Sequence, residues 1–334
     1  MRGKVEMLRA GVIGLGVGER HIFGFNRSRD AVTVRICDQD PNKLAEVAAR
    51  TRILDTTTDP NDILLDPTID IVSIASFDEC HAEQVIIAIN AGKHIFVEKP
   101  ICLTLEELDA ICGAYSQSVW AGLELKISSN FILRCEERFI KLKRRIDSGE
   151  LGEIYAVEGN YDYGRVKKLL SGWRSNTPGY SVMHGGGIHL LDLCQWLTGE
   201  MYQPTAALNN KVVTHGTSFK PPDTIFSIGK FGDKIIGRIG ANFGSQTAHF
   251  HQLKVYGTKG TFIHDCAKTT YFFGSEPGEI REVDSTPFPS SNKGDLLPDF
   301  VASIMAGDNF PINFEYIESI MRTSISIDSL ALNK

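Results

Sequence analysis

The chain contains no run of uncharged apolar residues approaching the ~18 that a membrane-spanning helix needs, so no membrane partner is expected. None of its seven cysteines (Cys37, Cys80, Cys102, Cys112, Cys135, Cys194 and Cys266) forms a C-x-x-C pair. That absence removes a zinc ribbon and a dithiol redox motif. Scattered thiols of odd number read as small core residues in a reducing cytoplasm. Positive charge is in short supply as well: 35 Lys and Arg face 41 Asp and Glu, a formal net charge of −6. A broad nucleic-acid surface is therefore excluded, though not a small anionic ligand in a local basic pocket. There is no internal repeat and no low-complexity tract. The apolar stretch Ala10–Gly18 carries four glycines in nine residues and runs into Glu19-Arg20, which suits a turn better than a secretory signal.

What is present is a globular composition, with 42% hydrophobic and 23% charged residues in 334, enough chain for two domains. Through residue 126 short β-rich runs alternate with helical patterns, the signature of βαβ units and a parallel sheet. Strands are expected at Ala10–Ile13, Val32–Cys37, Ile69–Ala75, His94–Val97 and Val119–Ile127. Between them, Asp40 caps a helix that opens with Pro41, Gly92 stops a helix over Glu79–Ala91, and Thr104 with Glu107 forms a capping box for 105–116. Residues 127–334 read differently. A helix over Leu133–Asp147 precedes β-like runs near 153–163, 205–214, 223–230, 234–243, 250–256, 260–265 and 268–273, with helices near 187–197, 295–306 and 315–329. Turns as tight as Gly232-Asp233 join antiparallel neighbours. The expected architecture is a doubly wound Rossmann-like α/β domain over 1–126 and an α+β domain with a large, mostly antiparallel open sheet over 127–334. An open sheet needs a cover on its second face, and a second copy of the chain is the expected one, as a homodimer or homotetramer.

The first strand runs into Gly14-Leu15-Gly16-Val17-Gly18 and a helix. Glycines there let backbone approach a pyrophosphate, which sits on the unpaired N–H groups of the helix N-terminus. The G-x-G-x-G spacing is one residue shorter than the usual fingerprint. Asp38 ends the second strand, 20 residues after Gly18, where an acid binds the adenosine ribose. A carboxylate at that point accepts a free 2′-hydroxyl and repels a 2′-phosphate, so NAD is expected over NADP.

Further on, the runs Ser76-Phe77-Asp78-Glu79-Cys80-His81-Ala82, Ala91-Gly92-Lys93-His94-Ile95-Phe96-Val97-Glu98-Lys99-Pro100, Gly149-Glu150-Leu151-Gly152-Glu153-Ile154 and Gly185-Gly186-Gly187-Ile188-His189-Leu190-Leu191-Asp192-Leu193 resemble the Gfo/Idh/MocA (glucose–fructose oxidoreductase/inositol dehydrogenase/rhizopine catabolism) family. The resemblance covers nearly the whole chain. It implies NAD(P)-dependent oxidation or reduction of a hydroxyl on a sugar, cyclitol or nucleotide sugar. Lys99 matches the family's catalytic lysine and would orient the hydroxyl, and His189 matches its catalytic histidine and would exchange the proton. Glu98 would set the lysine's charge and contact the cofactor, with Ser76, Phe77 and His81 along the nicotinamide half.

The chain departs from the family at Gly185, where many dehydrogenase members carry an aspartate four residues before the histidine. His184 stands next to the gap. The departure keeps open a hydrolase or lyase that uses NAD for a transient oxidation, and a non-catalytic dinucleotide- or sugar-sensing protein. No metal is expected at His184, His189 and Asp192, because no other part of the site supplies a clear ligand. Asn130, Arg134, Tyr161, Tyr163, Arg165, Lys167, Lys168, Trp173, Arg174, His184 and Asp192 are the candidate substrate groups. Aromatic faces suit sugar rings, and the cations suit a carboxylate or phosphate. His249 and His251 share one strand face and face either the substrate or a subunit interface.

Overall fold

The computed structural model describes residues 7–175, 177–276, 279 and 281–332. It divides into two compact units, Met1–Ile132 with Asn292–Ser319 and Leu133–Ser291 with Ile320–Lys334. The single boundary expected at 126/127 becomes three crossings. The returning segment carries no linker signal; what joins it to the first unit is packing. Phe300, from the helix Leu297–Ala306, meets Phe96 at 5.7 Å, and Arg27 donates to the Gly294 carbonyl at 3.0 Å. A Cβ on Gly24 would lie 2.5 Å from that carbonyl, so the helix Gly18–Arg27 receives the segment only because residue 24 has no side chain.

In the first unit β1 (Leu8–Ile13), β2 (Ala31–Cys37), β3 (Thr56–Thr57), β4 (Ile71–Ile74), β5 (His94–Val97) and β6 (Ile127–Ser129) form a parallel sheet in the order β3-β2-β1-β4-β5-β6. The order reverses between β1 and β4, and in such sheets the crevice outside the carboxyl ends at that reversal is where ligands bind. The local signals hold. Asp40 caps Pro41–Thr51 by accepting from the amides of Asn42 and Lys43, and Thr104 and Glu107 form both halves of the capping box. Gly92, just past the helix His81–Asn90, has φ +72°. The expected strand at Val119–Ile127 is corrected: the helix runs Leu105–Trp120, and β6 begins at Ile127. Val119 and Trp120 are apolar but exposed on the last helical turn, so their β-like composition misleads.

In the second unit β7 (Ile154–Asp162), β8 (Tyr202–Asn210), β9 (Thr224–Phe231), β10 (Ile235–Asn242), β11 (Phe250–Gly257), β12 (Thr261–His264), β13 (Thr269–Phe272) and β14 (Arg281–Val283) form one sheet, ordered β14-β13-β12-β11-β7-β10-β9-β8. Pairing is antiparallel except between β7 and β10. The helix Ile188–Thr198 lies on β7. A Cβ on Gly159 would come within 3.0 Å of Leu190 and 3.2 Å of the Cys194 sulfur, so that glycine sets how closely the helix approaches. The expected helix at Leu133–Asp147 splits into a 3-10 turn, Ile132–Cys135, and a helix, Glu137–Asp147. Between them, Glu136 turns its carboxylate to the amides and hydroxyls of Ser290 and Ser291.

Candidate active site

The glycine turn at the end of β1 is shaped as a dinucleotide cradle. Gly14 has φ +83°, and a Cβ there would lie 2.3 Å from the Ala75 carbonyl, so neither backbone nor space admits another residue. A Cβ on Gly18 would press on Val12 at 2.9 Å, which seats the helix start against the sheet. Gly16 is different: the nearest atom to its Cβ position is the Lys43 ammonium at 3.6 Å. The turn therefore leaves open backbone beside a cation, in front of the N–H groups that begin Gly18–Arg27, which is what a pyrophosphate requires. Glu19 sits in that first helical turn, and its charge is tied up by Arg50 at 2.9 and 3.1 Å, which holds it below the usual carboxylate range.

Asp38 closes the cradle. One carboxylate oxygen accepts from the Leu15 amide at 2.7 Å and the other from the Asp40 amide at 3.0 Å. Each oxygen keeps a second lone pair for a ribose hydroxyl, so the residue shapes the turn and remains able to hold the sugar. Asp38→Ala is expected to weaken NADH binding about 10- to 100-fold, the loss of one to two kcal/mol-scale charge-assisted bonds. A dissociation constant unchanged in a fluorescence titration would refute the ribose assignment.

At the carboxyl ends of β4, β5 and β6 lies a buried polar network. Asn130 donates to Glu98 at 2.7 Å and to the Lys293 carbonyl at 2.8 Å, and the His21 ring bridges Ser73 at 2.7 Å and Glu98 at 3.3 Å. Burial alone would raise the Glu98 pKa, but Lys293, His21 and Lys99 outweigh it and hold the carboxyl far below its usual range. The next residue, Lys99, is half-buried, and its peptide bond to Pro100 is cis. The strand end thus presents a lysine beside a carboxylate fixed in its ionised form. Two expectations shift here. Asn130, read as a substrate group, has its amide engaged under Glu98. His81, read as a nicotinamide neighbour, is fully buried with its ring nitrogens 2.6 Å from the Pro100 carbonyl and 3.2 Å from that of Ser76. It braces the two loops that flank the strand ends. Ser76 donates to Gln84 at 2.7 Å, and Phe77 is half-buried at the start of the turn Asp78–Cys80.

In the second unit His189 stands in the first turn of Ile188–Thr198, and an aromatic cluster surrounds it. Tyr161 lies 6.3 Å from it, nearly parallel, and His251 is edge-on at 6.0 Å. Tyr161 also meets His249 at 5.2 Å and His251 at 4.9 Å, which gathers both histidines on Tyr161. Burial pushes the Tyr161 phenol well up, helped by Tyr163 and opposed by Arg174 and Arg165. The charges of Arg174 and Arg165 therefore reach Tyr161. Arg165 is exposed, while the Arg174 guanidinium lies over the Trp173 ring at 4.4 Å. Tyr163 is buried and stacks on Phe243 at 4.6 Å. Asp192 is not at the surface of this site. It is fully buried and takes the Arg134 guanidinium on both oxygens, at 2.6, 3.0 and 3.1 Å. The physical reason is direct: a buried carboxylate needs a counter-charge, and Arg134 supplies a planar fork. His184 turns to Asp328 at 3.2 Å, and Ser181 donates to the same carboxylate at 2.9 Å.

His21, Ser73, Lys293, Lys43 and Asp328 escaped the sequence reading. His21 had a signal, three residues after Gly18 on the same helical face; Lys293 and Asp328 come from far along the chain and had none. Among the described residues no group of three or more His, Cys, Asp or Glu side chains is placed to hold a metal ion, and no helix is long and apolar enough to cross a membrane.

Comparison with known proteins supports the same assignment. Residues 8–118 match the oxidoreductase family with an NAD-binding Rossmann fold, and residues 139–263 match the GFO/IDH/MocA C-terminal domain. The chain is 25% identical over 281 residues to a myo-inositol 2-dehydrogenase of Thermotoga maritima, covering 81% of this chain and 80% of that protein. It is 28% identical over 314 residues to the NAD(+)-dependent scyllo-inositol 2-dehydrogenase of Bacillus subtilis, covering 88% and 81%. Its fold matches that of a levoglucosan dehydrogenase solved with NADH and levoglucosan, with a TM-score of 0.82, 22% identity and 98% of each chain covered. The glycine cradle, the acid after β2, the lysine after β5 and the matched domains together make this chain a member of the Gfo/Idh/MocA family of NAD-binding oxidoreductases.

Proposed function

We propose that the protein oxidises a secondary hydroxyl of a cyclic polyol, an inositol or a pyranose, and passes the hydride to NAD. The observation that carries this reading is the strand-end arrangement of Lys99 beside Glu98, a carboxylate held ionised by Lys293 and His21. Bound NAD supplies the hydride acceptor. Gly14, Gly16 and Gly18 would hold its pyrophosphate and Asp38 its adenosine ribose. Lys99 orients the substrate hydroxyl and stabilises the developing alkoxide. His189 takes the hydroxyl proton, since an imidazole is an effective base near neutral pH. Tyr161 gives a sugar ring an apolar face, and Arg174 and Arg165 favour an anionic substituent. The test is a screen of inositols, hexoses, levoglucosan, uronates and nucleotide sugars, read by NADH absorbance. Steady NADH formation with one class supports the proposal; turnover with tightly held NAD and no net NADH points instead to a transient-oxidation enzyme.

The same reading includes a homo-oligomer. On one face of the sheet Leu208, Ile228 and Ile236 are 62%, 57% and 60% exposed, and Phe226 pairs directly with Leu208 across the strands. A row of apolar side chains of this kind is the composition of a subunit interface. Ile228→Glu places a charge in the row and is expected to shift the protein to monomers in light scattering. An unchanged mass would rule this face out.

A further inference from the structure

The helix Glu137–Asp147 carries a row of cations that the proposed reaction does not use. Arg138, Lys141 and Arg145 recur every three to four residues and so share one helical face. That face meets β13, β14 and the segment after them: Arg138 donates to the Thr269 hydroxyl at 2.7 Å, Lys141 to the Thr286 hydroxyl at 2.7 Å and Arg145 to Glu282 at 2.6 Å. Arg138 is buried, and its other contacts are the His264 Nδ1 at 3.1 Å and the Thr286 carbonyl. A ring nitrogen that accepts from a guanidinium carries no proton, so every acceptor on Arg138 is uncharged. Neither Arg138 nor Arg144 has an ion pair among the described residues. A buried cation without a counter-ion raises the potential around it and favours an anion nearby. Asp284 responds to that field: burial would raise its pKa, but hydrogen bonds from Thr286 and the charges of Arg138 and Lys141 hold it below the usual range.

Between this helix and β14 lies a cavity of about 440 Å³, the size of a small-ligand site. Lys141, Arg144 and Arg145 line it from the helix, and Glu282, Asp284 and Thr286 from the strand side. Tyr271 lines it too. The register sets Tyr271 opposite Glu282, and the Arg145 guanidinium lies over its ring at 4.1 Å. Tyr271 is 1% exposed, and its hydroxyl has no hydrogen-bond partner among the described residues, a costly state for a buried polar group. Arg145 is spent on Glu282 and on Glu150, at 2.6 and 3.4 Å. Arg144 is uncommitted, and Lys141, one turn before it, is held over the cavity by Thr286. We propose that this cavity binds a small polyhydroxylated anion, a sugar or cyclitol bearing a phosphate or a carboxylate. Arg144 and Lys141 take the anionic group. Glu282 and Asp284 are acceptors only, so they take the ligand's hydroxyls and turn away a bare polyanion. A hydroxyl at the cavity floor supplies the partner that Tyr271 lacks. The cavity shares no residue with the surroundings of Lys99 or His189, so this ligand is additional to the substrate and to NAD.

The test is isothermal titration calorimetry on the full chain, with NADH at saturation so that the glycine cradle is filled. The probes are glucose 6-phosphate, glucuronate and inorganic phosphate. One of the two sugar probes is expected to bind at one site per chain, about 10-fold or more tighter than inorganic phosphate, and which of them binds identifies the anionic group. Arg144→Glu reverses an exposed charge and is expected to weaken that binding about 10-fold or more, with the NADH dissociation constant within about twofold. Tyr271→Phe, which keeps the ring, is expected to weaken it about threefold or more. In Lys99→Ala the probe is expected to bind within about twofold of the unaltered protein. Absence of saturable binding of all three probes at about 10 mM overturns the proposal. So does a probe whose affinity falls in Lys99→Ala and not in Arg144→Glu, because that probe occupies the candidate active site. Inorganic phosphate that binds as tightly as either sugar probe overturns the recognition of hydroxyls.

Discussion

Replacing Lys99 with alanine is expected to lower kcat by about 100- to 10,000-fold, the range spanned by removal of one positioned acid–base or electrostatic group, while the NADH dissociation constant is expected to stay within about threefold. The split follows from where the side chain sits. The pyrophosphate and ribose contacts are proposed for the glycine turn and Asp38, at the ends of β1 and β2, whereas Lys99 follows β5. Its charge acts on Glu98 only as the last of several contributions, and that carboxylate is held ionised by Lys293 and His21 rather than by the lysine alone. Loss of Lys99 therefore leaves Glu98 ionised and the network beneath it in place. What disappears is the positive charge that would face a developing alkoxide, a contribution made in the transition state and not in cofactor binding. Steady-state rates with the best substrate of the polyol screen, beside a fluorescence titration with NADH, check the two halves separately. Near wild-type turnover would remove Lys99 from the chemistry.

The second large effect is on stability. Arg134→Met is expected to destabilise the second unit by about 3–5 kcal/mol, the cost of leaving a buried carboxylate without its counter-charge. Asp192 is fully buried and receives the guanidinium through both oxygens, so no solvent is at hand to replace it. Arg134→Met combined with Asp192→Leu should recover most of the loss, because a well-packed apolar pair avoids the desolvation that either charge alone suffers. Urea unfolding of the three variants measures this. Equal destabilisation in the single and double variants would show that the ion pair is not what Arg134 contributes. The helix Ile188–Thr198 carries both Asp192 and His189, so the Arg134 variant is expected to lose activity along with stability.

Much of the fold was legible because its signals are local. The Asp40 cap, the Thr104–Glu107 box and the Gly92 stop depend on neighbours within one helical turn, and each stands where the residues predict it. The parallel sheet was legible through the spacing of its strands, and the glycine turn through its G-x-G-x-G spacing between a strand and a helix. Failures occurred where composition and packing disagree. Val119 and Trp120 look like strand residues but finish an exposed helix. The segment containing Phe300 joins the first unit by contacts across two hundred residues, and no linker marks it. At the candidate site, Asp38 was read from its position after the second strand, and Lys99, Glu98 and His189 were named by the family resemblance. Asn130 and Asp192 were assigned to the substrate because polar residues in a loop or on a helix face read as exposed; the fold buries both and gives each a partner.

The chain by itself determined most of the elements of its first half, the site for a dinucleotide and the preference for NAD that an acid at 38 implies, while the two side chains proposed for the chemistry, Lys99 and His189, were named by the family resemblance. The elements and the dinucleotide site follow from backbone freedom, charge and short spacings, which need no partner distant in sequence. Only the tertiary structure decided what surrounds them. It placed Lys293 and His21 behind Glu98, locked Asp192 to Arg134, drew His251 and Tyr161 up to His189, and filled the side-chain place at 185 with the hydroxyl of Tyr180. Each of these depends on burial, where an unpaired charge or an empty space is costly, and burial is a property of the packed chain and not of any stretch of it.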